Sequence, residues 1–227
     1  MLKVVIGYDE RERVAYHVLA HSIQRRVSMP VEIMPLNRNA LKGIYDRPRA
    51  ENESTDFSLS RFIVPYLCDY QGWAIFMDSD MVCRGDLADL ARWMTVKTRW
   101  TYAVHAVKHE YDPDPADKFF GQKQSIYQMK NWSSVMLFNN AMCRNLTPEY
   151  VNQAPGLELH QFHWTTPDKI GELPKAWNYL VGEKNQCAPD EAKLIHFTRG
   201  TPCFAEYAGC EFADLWNAEL QDMTGHA

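Results

Sequence analysis

The order of elements in the first third of the chain most constrains its fold. Leu2-Lys3-Val4-Val5-Ile6-Gly7 is a short β-branched apolar run closed by glycine, the pattern of a strand buried on both faces. Tyr8-Asp9-Glu10 opens a loop, and Arg13 to Arg26 then sets Val14, Val18, Leu19, Ser22 and Ile23 at helical spacing. After Met29-Pro30, Val31-Glu32-Ile33-Met34-Pro35-Leu36 reads as a second strand. A strand-helix-strand unit predicts a parallel sheet and an α/β fold. A length of 227 residues suits one domain spanning 1–227, large enough to bury well over half of its unfolded surface.

Further along, Asn37 to Thr55 is polar and broken by Gly43 and Pro48, which predicts an irregular loop. Ser58 to Asp69 carries Phe62, Ile63, Tyr66 and Leu67 on one side of a predicted helix that Pro65 should kink or end. Trp73 to Met77 is an apolar strand that runs straight into Asp78-Ser79-Asp80. Gly85 to Trp93 reads as helix, and Thr101 to Val107 and Ser133 to Asn139 as strands. His109 to Asn131, with Pro113 and Pro115, reads as a loop followed by a short helix. The last third is rich in loops and aromatic rings, including Trp164, Trp177 and Tyr179. It also holds an apolar run, Leu194-Ile195-His196-Phe197, and a closing helix from Phe212 to Leu220.

A net charge of −5 argues against a surface that grips a nucleic-acid backbone, which needs clustered Lys and Arg. No run approaches the roughly 20 apolar residues of a membrane helix, and no signal pattern opens the chain, so a cytoplasmic protein without a membrane span is expected. The six cysteines form no C-x-x-C pair and are expected to be mostly buried thiols.

Two carboxylates one residue apart at the end of an apolar strand lie where open α/β sheets place their ligands. Asp78 and Asp80 can offer oxygens to a hard divalent cation, and such a cation offsets the charge of a departing diphosphate. The same residues also suit a strand followed by an Asx-type turn, with Asp80 capping a later helix. Two acids this close to a buried strand end are nevertheless costly without a cation or donors.

The run from Trp73 to Leu90, with Met-Asp-Ser-Asp-Met-Val and then Gly-Asp-Leu, resembles the D-x-D region of retaining glycosyltransferases of family eight. This is the glycogenin and lipopolysaccharide galactosyltransferase group. Val4 to Asp9 resembles its opening strand and nucleotide loop, Ser60 to Leu67 its Arg-bearing helix, and Ser133 to Asn139 its Asn-Ser-Gly-Val-Met-Leu-Ile-Asn strand. Leu173-Pro174 with Trp177-Asn178 resembles its Leu-Pro and Trp-Asn pair, and Ile195-His196-Phe197 with Gly200 and Pro202 its closing His-Phe-x-Gly motif. The matches keep their order from residue 4 to residue 204.

The resemblance implies a GT-A fold: a Rossmann-like mixed, mainly parallel sheet flanked by helices, with an aromatic loop-rich C-terminal part. Residues 1–107 would be the nucleotide-binding half and 108–227 the acceptor-side half. It implies manganese, or magnesium, held by Asp78, Asp80 and His196, with Ser79 and Gly200 alongside in the two motifs. Tyr8 and Asp9 match positions that contact uracil and ribose, and Arg61 an arginine near the diphosphate and donor sugar. Read from the sequence alone, Arg61 equally suits a salt bridge on a helix face, and His196 a hydrogen-bonded core position.

Two departures stand out. Thr201-Pro202 replaces the family's Lys-Pro, and His160-Gln161 stands where the family has Asp-Gln near the reacting carbon, so Gln161 carries over as the candidate catalytic residue beside Arg61. The implied activity is transfer of a hexose from a UDP-sugar to a carbohydrate or glycoconjugate acceptor hydroxyl with retention of configuration. A degenerate sugar-nucleotide-binding module and a nucleotidyltransferase are the alternatives. The second would need a basic glycine-rich loop that Gly7-Tyr8-Asp9-Glu10 is not.

Overall fold

The computed structural model describes residues 1–50, 53–95, 100–110, 129–184 and 186–225. Its centre is a six-stranded sheet in the order β2-β1-β3-β6-β5-β7, built from β1 (Leu2–Tyr8), β2 (Val31–Asn37), β3 (Trp73–Met77), β5 (Val104–Val107), β6 (Val135–Asn139) and β7 (Ile170–Leu173). The pairs β1–β2, β1–β3 and β5–β7 are parallel, while β6 runs antiparallel to both β3 and β5. The predicted α/β class with a mainly parallel mixed sheet is therefore what the chain forms. A second sheet has the order β4-β9-β8, from β4 (Met81–Cys83), β8 (Tyr179–Leu180) and β9 (Leu194–His196).

Helix α1 (Arg13–Gln24) crosses from β1 to β2 and buries Ala15, Val18, Leu19, Ser22 and Ile23, whereas Val14 faces outward. The expected helix from Ser58 to Asp69 forms as a 3-10 turn, Ser60–Ile63, followed by the short α2 (Val64–Leu67). Pro65 sits in the first turn of α2, where its missing N–H costs nothing, so it starts the α turn instead of kinking a longer helix. Leu87–Trp93 is likewise a 3-10 helix, capped by the Asp86 carboxylate on the Ala88 N–H at 2.9 Å. That cap is Asp86, which leaves Asp80 out of the capping role. Helices α3 (Pro148–Gln153), α4 (Gly156–His160) and α5 (Ala213–Thr224) complete the set. Most of the predicted segment 109–131 lies outside the described residues.

The two sheet faces pack into separate cores. One joins Val5, Phe57, Phe62, Phe76 and Phe138; the other joins Val4, Ile6, Ile75, Met77 and Trp177. Gly7 lets the first core close, because a Cβ there would lie 2.5 Å from the Phe57 ring. Among the described residues no helix is long and apolar enough to cross a membrane.

Candidate metal centre

The site forms where the two sheets meet. Strand β3 is buried from Ala74 to Met77 and ends on Asp78, whose N–H donates to the Ser134 carbonyl at 3.0 Å. The chain then turns, with the Met81 N–H on the Ser79 carbonyl at 2.8 Å, and enters β4. Antiparallel pairing of β4 with β9 sets Met81 opposite His196, and the Phe197 N–H closes on the Asp80 carbonyl at 2.8 Å. Sheet pairing thus delivers a histidine from the far end of the chain to the two acids.

Three potential ligand atoms, one each from Asp78, Asp80 and His196, lie within 4.8 Å of one another. His196 Nε2 is 3.3 Å from Asp80 Oδ1 and 4.0 Å from Asp78 Oδ2. Its other ring nitrogen, Nδ1, is 2.9 Å from Asn178 Oδ1, so Nε2 is the atom turned to the carboxylates. Asp80 Oδ1 is buried without a hydrogen-bond partner. An imidazole nitrogen facing two carboxylates makes a place for a positive charge between them. Ligand bonds of about 2.0–2.6 Å bring donor atoms this close around a divalent ion, and a nitrogen with two carboxylates is a common donor set. The residues fit a metal.

Arg61 is buried beside the acids. Its Nη1 lies 2.8 Å from Asp78 Oδ1 and donates to the Ser133 carbonyl at 3.0 Å, while Nε donates to the Ser58 carbonyl at 2.9 Å. The guanidinium also lies over Phe57 and Phe76, with centroids at 5.5 and 5.0 Å. A planar cation with several donors suits such a buried post better than lysine does.

These groups line a cleft, with Ser54 and Thr55 from one loop and Asn131, Ser134 and Thr198 from others. Glu12, also in its lining, went unremarked in the sequence. It is buried just before α1, where its Oε1 accepts the Thr201 hydroxyl at 2.9 Å. Burial, and then the charge of Asp80, push its carboxyl up to about 8. No local pattern marks a buried glutamate at a helix start; only the Thr201 departure pointed toward this corner of the site. Gly200, at φ 141°, takes a backbone conformation that favours glycine and turns the chain into Thr201.

The remaining candidates are placed as follows. Tyr8 ends β1, half-buried, with its ring edge-on to Tyr16 at 5.6 Å. Asp9 is buried, and its carboxylate receives the Arg11 N–H and Nε on Oδ1, and Arg11 Nη2 and the Asp56 N–H on Oδ2. Burial alone would raise the Asp9 carboxyl, but these donors win and hold it below the usual range. With about four lone-pair sites on a carboxylate, Asp9 has all of them engaged in this conformation and ties the loop after β1 to Asp56. Ser79 is buried, with its hydroxyl lacking a hydrogen-bond partner. Gln161 caps α4 through its backbone and is not among the described residues lining the cleft, whereas its neighbour His160 reaches Ser133 Oγ at 2.8 Å.

No family model matches the chain. Protein CDI of Arabidopsis thaliana is 43% identical over 227 residues, covering 97% of this chain and 86% of that protein. Among solved structures, the apo WbbM bifunctional glycosyltransferase superposes with TM-score 0.65 at 15% identity, over 99% of this chain and 51% of that one. The glycosyltransferase GlyE of Streptococcus pneumoniae gives TM-score 0.63 at 13% identity, over 100% of this chain and 63% of that one. The galactosyltransferase LgtC, solved with donor and acceptor sugar analogs, gives 0.60 at 11%, over 98% of this chain and 96% of that one. The chain thus spans about half of WbbM and under two thirds of GlyE. Likeness at such low identity concerns the fold, which is that of GT-A glycosyltransferases. By its sequence, the chain belongs to the family of Protein CDI of Arabidopsis thaliana.

Proposed function

We propose that the chain is a metal-dependent glycosyltransferase of the family-eight type. It would move a hexose from a UDP-sugar to a hydroxyl of a carbohydrate or glycoconjugate acceptor, with retention at the anomeric carbon. The observation that carries this reading is the Asp78, Asp80 and His196 cluster at the carboxyl edge of a GT-A sheet. Charge supports it: the described residues lining the cleft include the carboxylates of Asp78 and Asp80, with Glu12 held protonated near neutral pH, but only Arg61 as a fixed cation. A diphosphate would find little net attraction there without an added cation.

Asp78, Asp80 and His196 would hold manganese or magnesium. When bound, the ion supplies Lewis-acid stabilisation of the departing diphosphate. Arg61, already fixed by Ser58 and Ser133, keeps Asp78 in place and offers positive charge at the diphosphate end. Tyr8 borders the nucleotide side, while Ser79 and Gly200 shape the two turns that carry the ligands. Gln161 stays a candidate for the sugar side; His160, through Ser133, is the residue of that pair that touches the site's framework. Residues 1–107 would serve the nucleotide and 108–227 the acceptor, and both contribute to the cleft.

A screen of UDP- and GDP-sugars for hydrolysis, with and without manganese, tests the reading, and the anomeric configuration of product tests retention. Asp80→Asn should lower turnover at least about 100-fold, because a Lewis-acid metal supplies several kcal/mol and each roughly 1.4 kcal/mol is tenfold in rate. Turnover that is indifferent to manganese and to Asp80→Asn would sink the assignment. A non-catalytic binding module is the second reading, favoured by the Thr201 hydroxyl tied to Glu12 where the family carries lysine. Tight metal-dependent UDP binding without turnover of any donor would favour it.

A further inference from the structure

Asn178 closes the 3-10 turn Lys175–Asn178 and is fully buried. Its amide is committed in two opposite senses. Nδ2 donates to the Asn131 carbonyl at 3.1 Å, which settles the orientation of the group, because the flipped amide would set oxygen against oxygen. The atom 2.9 Å from His196 Nδ1 is therefore an acceptor, and only an Nδ1–H can donate to it. The other tautomer would leave two lone pairs facing each other in a buried place.

Asn131, left-handed at φ 64°, supplies the carbonyl that holds the Asn178 amide. Asn131 itself lines the cleft, and its carbonyl also accepts the Ser134 N–H at 3.3 Å. A change in the backbone at Asn131 would thus be felt at the His196 ring through one side chain.

We propose that Asn178 is a positioning residue whose amide, anchored on the Asn131 carbonyl, keeps a proton on His196 Nδ1 and so reserves Nε2 for a metal ion. The proposal rests on the metal reading above. Hydrogen-bond partners of metal-bound histidines typically contribute about 10–100-fold in affinity, so Asn178→Ala should weaken manganese binding by that factor in a calorimetric titration. Asn178→Asp keeps an acceptor for Nδ1–H but sets its second oxygen against the Asn131 carbonyl, so it should recover only part of the affinity lost in the alanine variant. Nitrogen-15 spectra of the wild-type histidines provide a readout that needs no variant. On adding zinc, a diamagnetic ion that takes imidazole nitrogen, His196 Nδ1 should stay protonated and Nε2 should shift. A bare Nδ1 in the wild type, or an alanine variant that binds manganese as the wild type does, overturns the proposal. A wild type that binds neither ion defeats the metal reading instead. In that case the nitrogen that carries the ring proton in the metal-free protein still decides the proposal: Nδ1 supports it, and Nε2 alone overturns it.

Discussion

Glu12 is the residue whose ionisation sets the character of the cleft. It faces Asp80 and Asp9 as charged neighbours, with the Thr201 hydroxyl as its hydrogen-bond donor. Burial first, and the Asp80 charge second, raise its carboxyl from an ordinary 4.5 to about 8. Between these values the folded protein holds a proton that the unfolded chain has lost, so stability is greatest at the acidic end and falls as pH rises through the window. One such group changes stability by at most about 1.4 kcal/mol per pH unit. Glu12→Gln keeps an oxygen for Thr201 and should flatten this part of the profile. Thermal melts of the metal-free proteins across that window measure it, and an unchanged slope in the variant would refute the assignment. The residue itself was not legible in the sequence, because its hydrogen-bond partner Thr201 and the neighbouring charge of Asp80 both come from positions distant along the chain.

At the level of elements, β1, β2, β3, β6 and β9 were readable because each is an apolar run with clear ends. Strand β7, Ile170-Gly171-Glu172-Leu173, has neither a continuous apolar run nor β-branched density, and β8 is only Tyr179–Leu180, so both depend on partners. The reversed direction of β6 follows from its pairing partners, which no local pattern records. His196 was drawn into the ligand set through motif resemblance. What places it there is the β4–β9 ladder, whose three-residue strand Met81–Val82–Cys83 is too short to be marked by any pattern of its own. Asn178 likewise stood in a recognisable Trp-Asn pair, but its two hydrogen-bond partners come from different parts of the chain. The packing of β1 offers a test at this scale. Gly7→Ala would push a Cβ to 2.5 Å from the Phe57 ring, on which the Arg61 guanidinium lies. Overpacking of this kind costs about 1–3 kcal/mol, so the variant should melt at a lower temperature and lose donor affinity as Arg61 shifts. Wild-type melting and affinity in the variant would show that the ring has room to move.

Across the whole molecule, the cleft draws on both sheets and both halves of the chain: Glu12, Arg61, Asp78 and Asp80 from one half, Asn131 and His196 from the other. A ligand that joins them binds only the folded state and must therefore stabilise it. At a free concentration of about 100 times its Kd, such a ligand adds about 2.7 kcal/mol, so UDP with manganese should raise the melting temperature where UDP with chelator does not. The central claim is that Asp78, Asp80 and His196 together hold the ion that binds the donor diphosphate. Calorimetric titration of UDP, with manganese and with chelator, into wild type and Asp80→Asn tests it most directly. The predicted result is UDP binding that requires manganese in the wild type and is lost in the variant, with both proteins folded. UDP binding of equal strength with chelator present, or undiminished in Asp80→Asn, would contradict it.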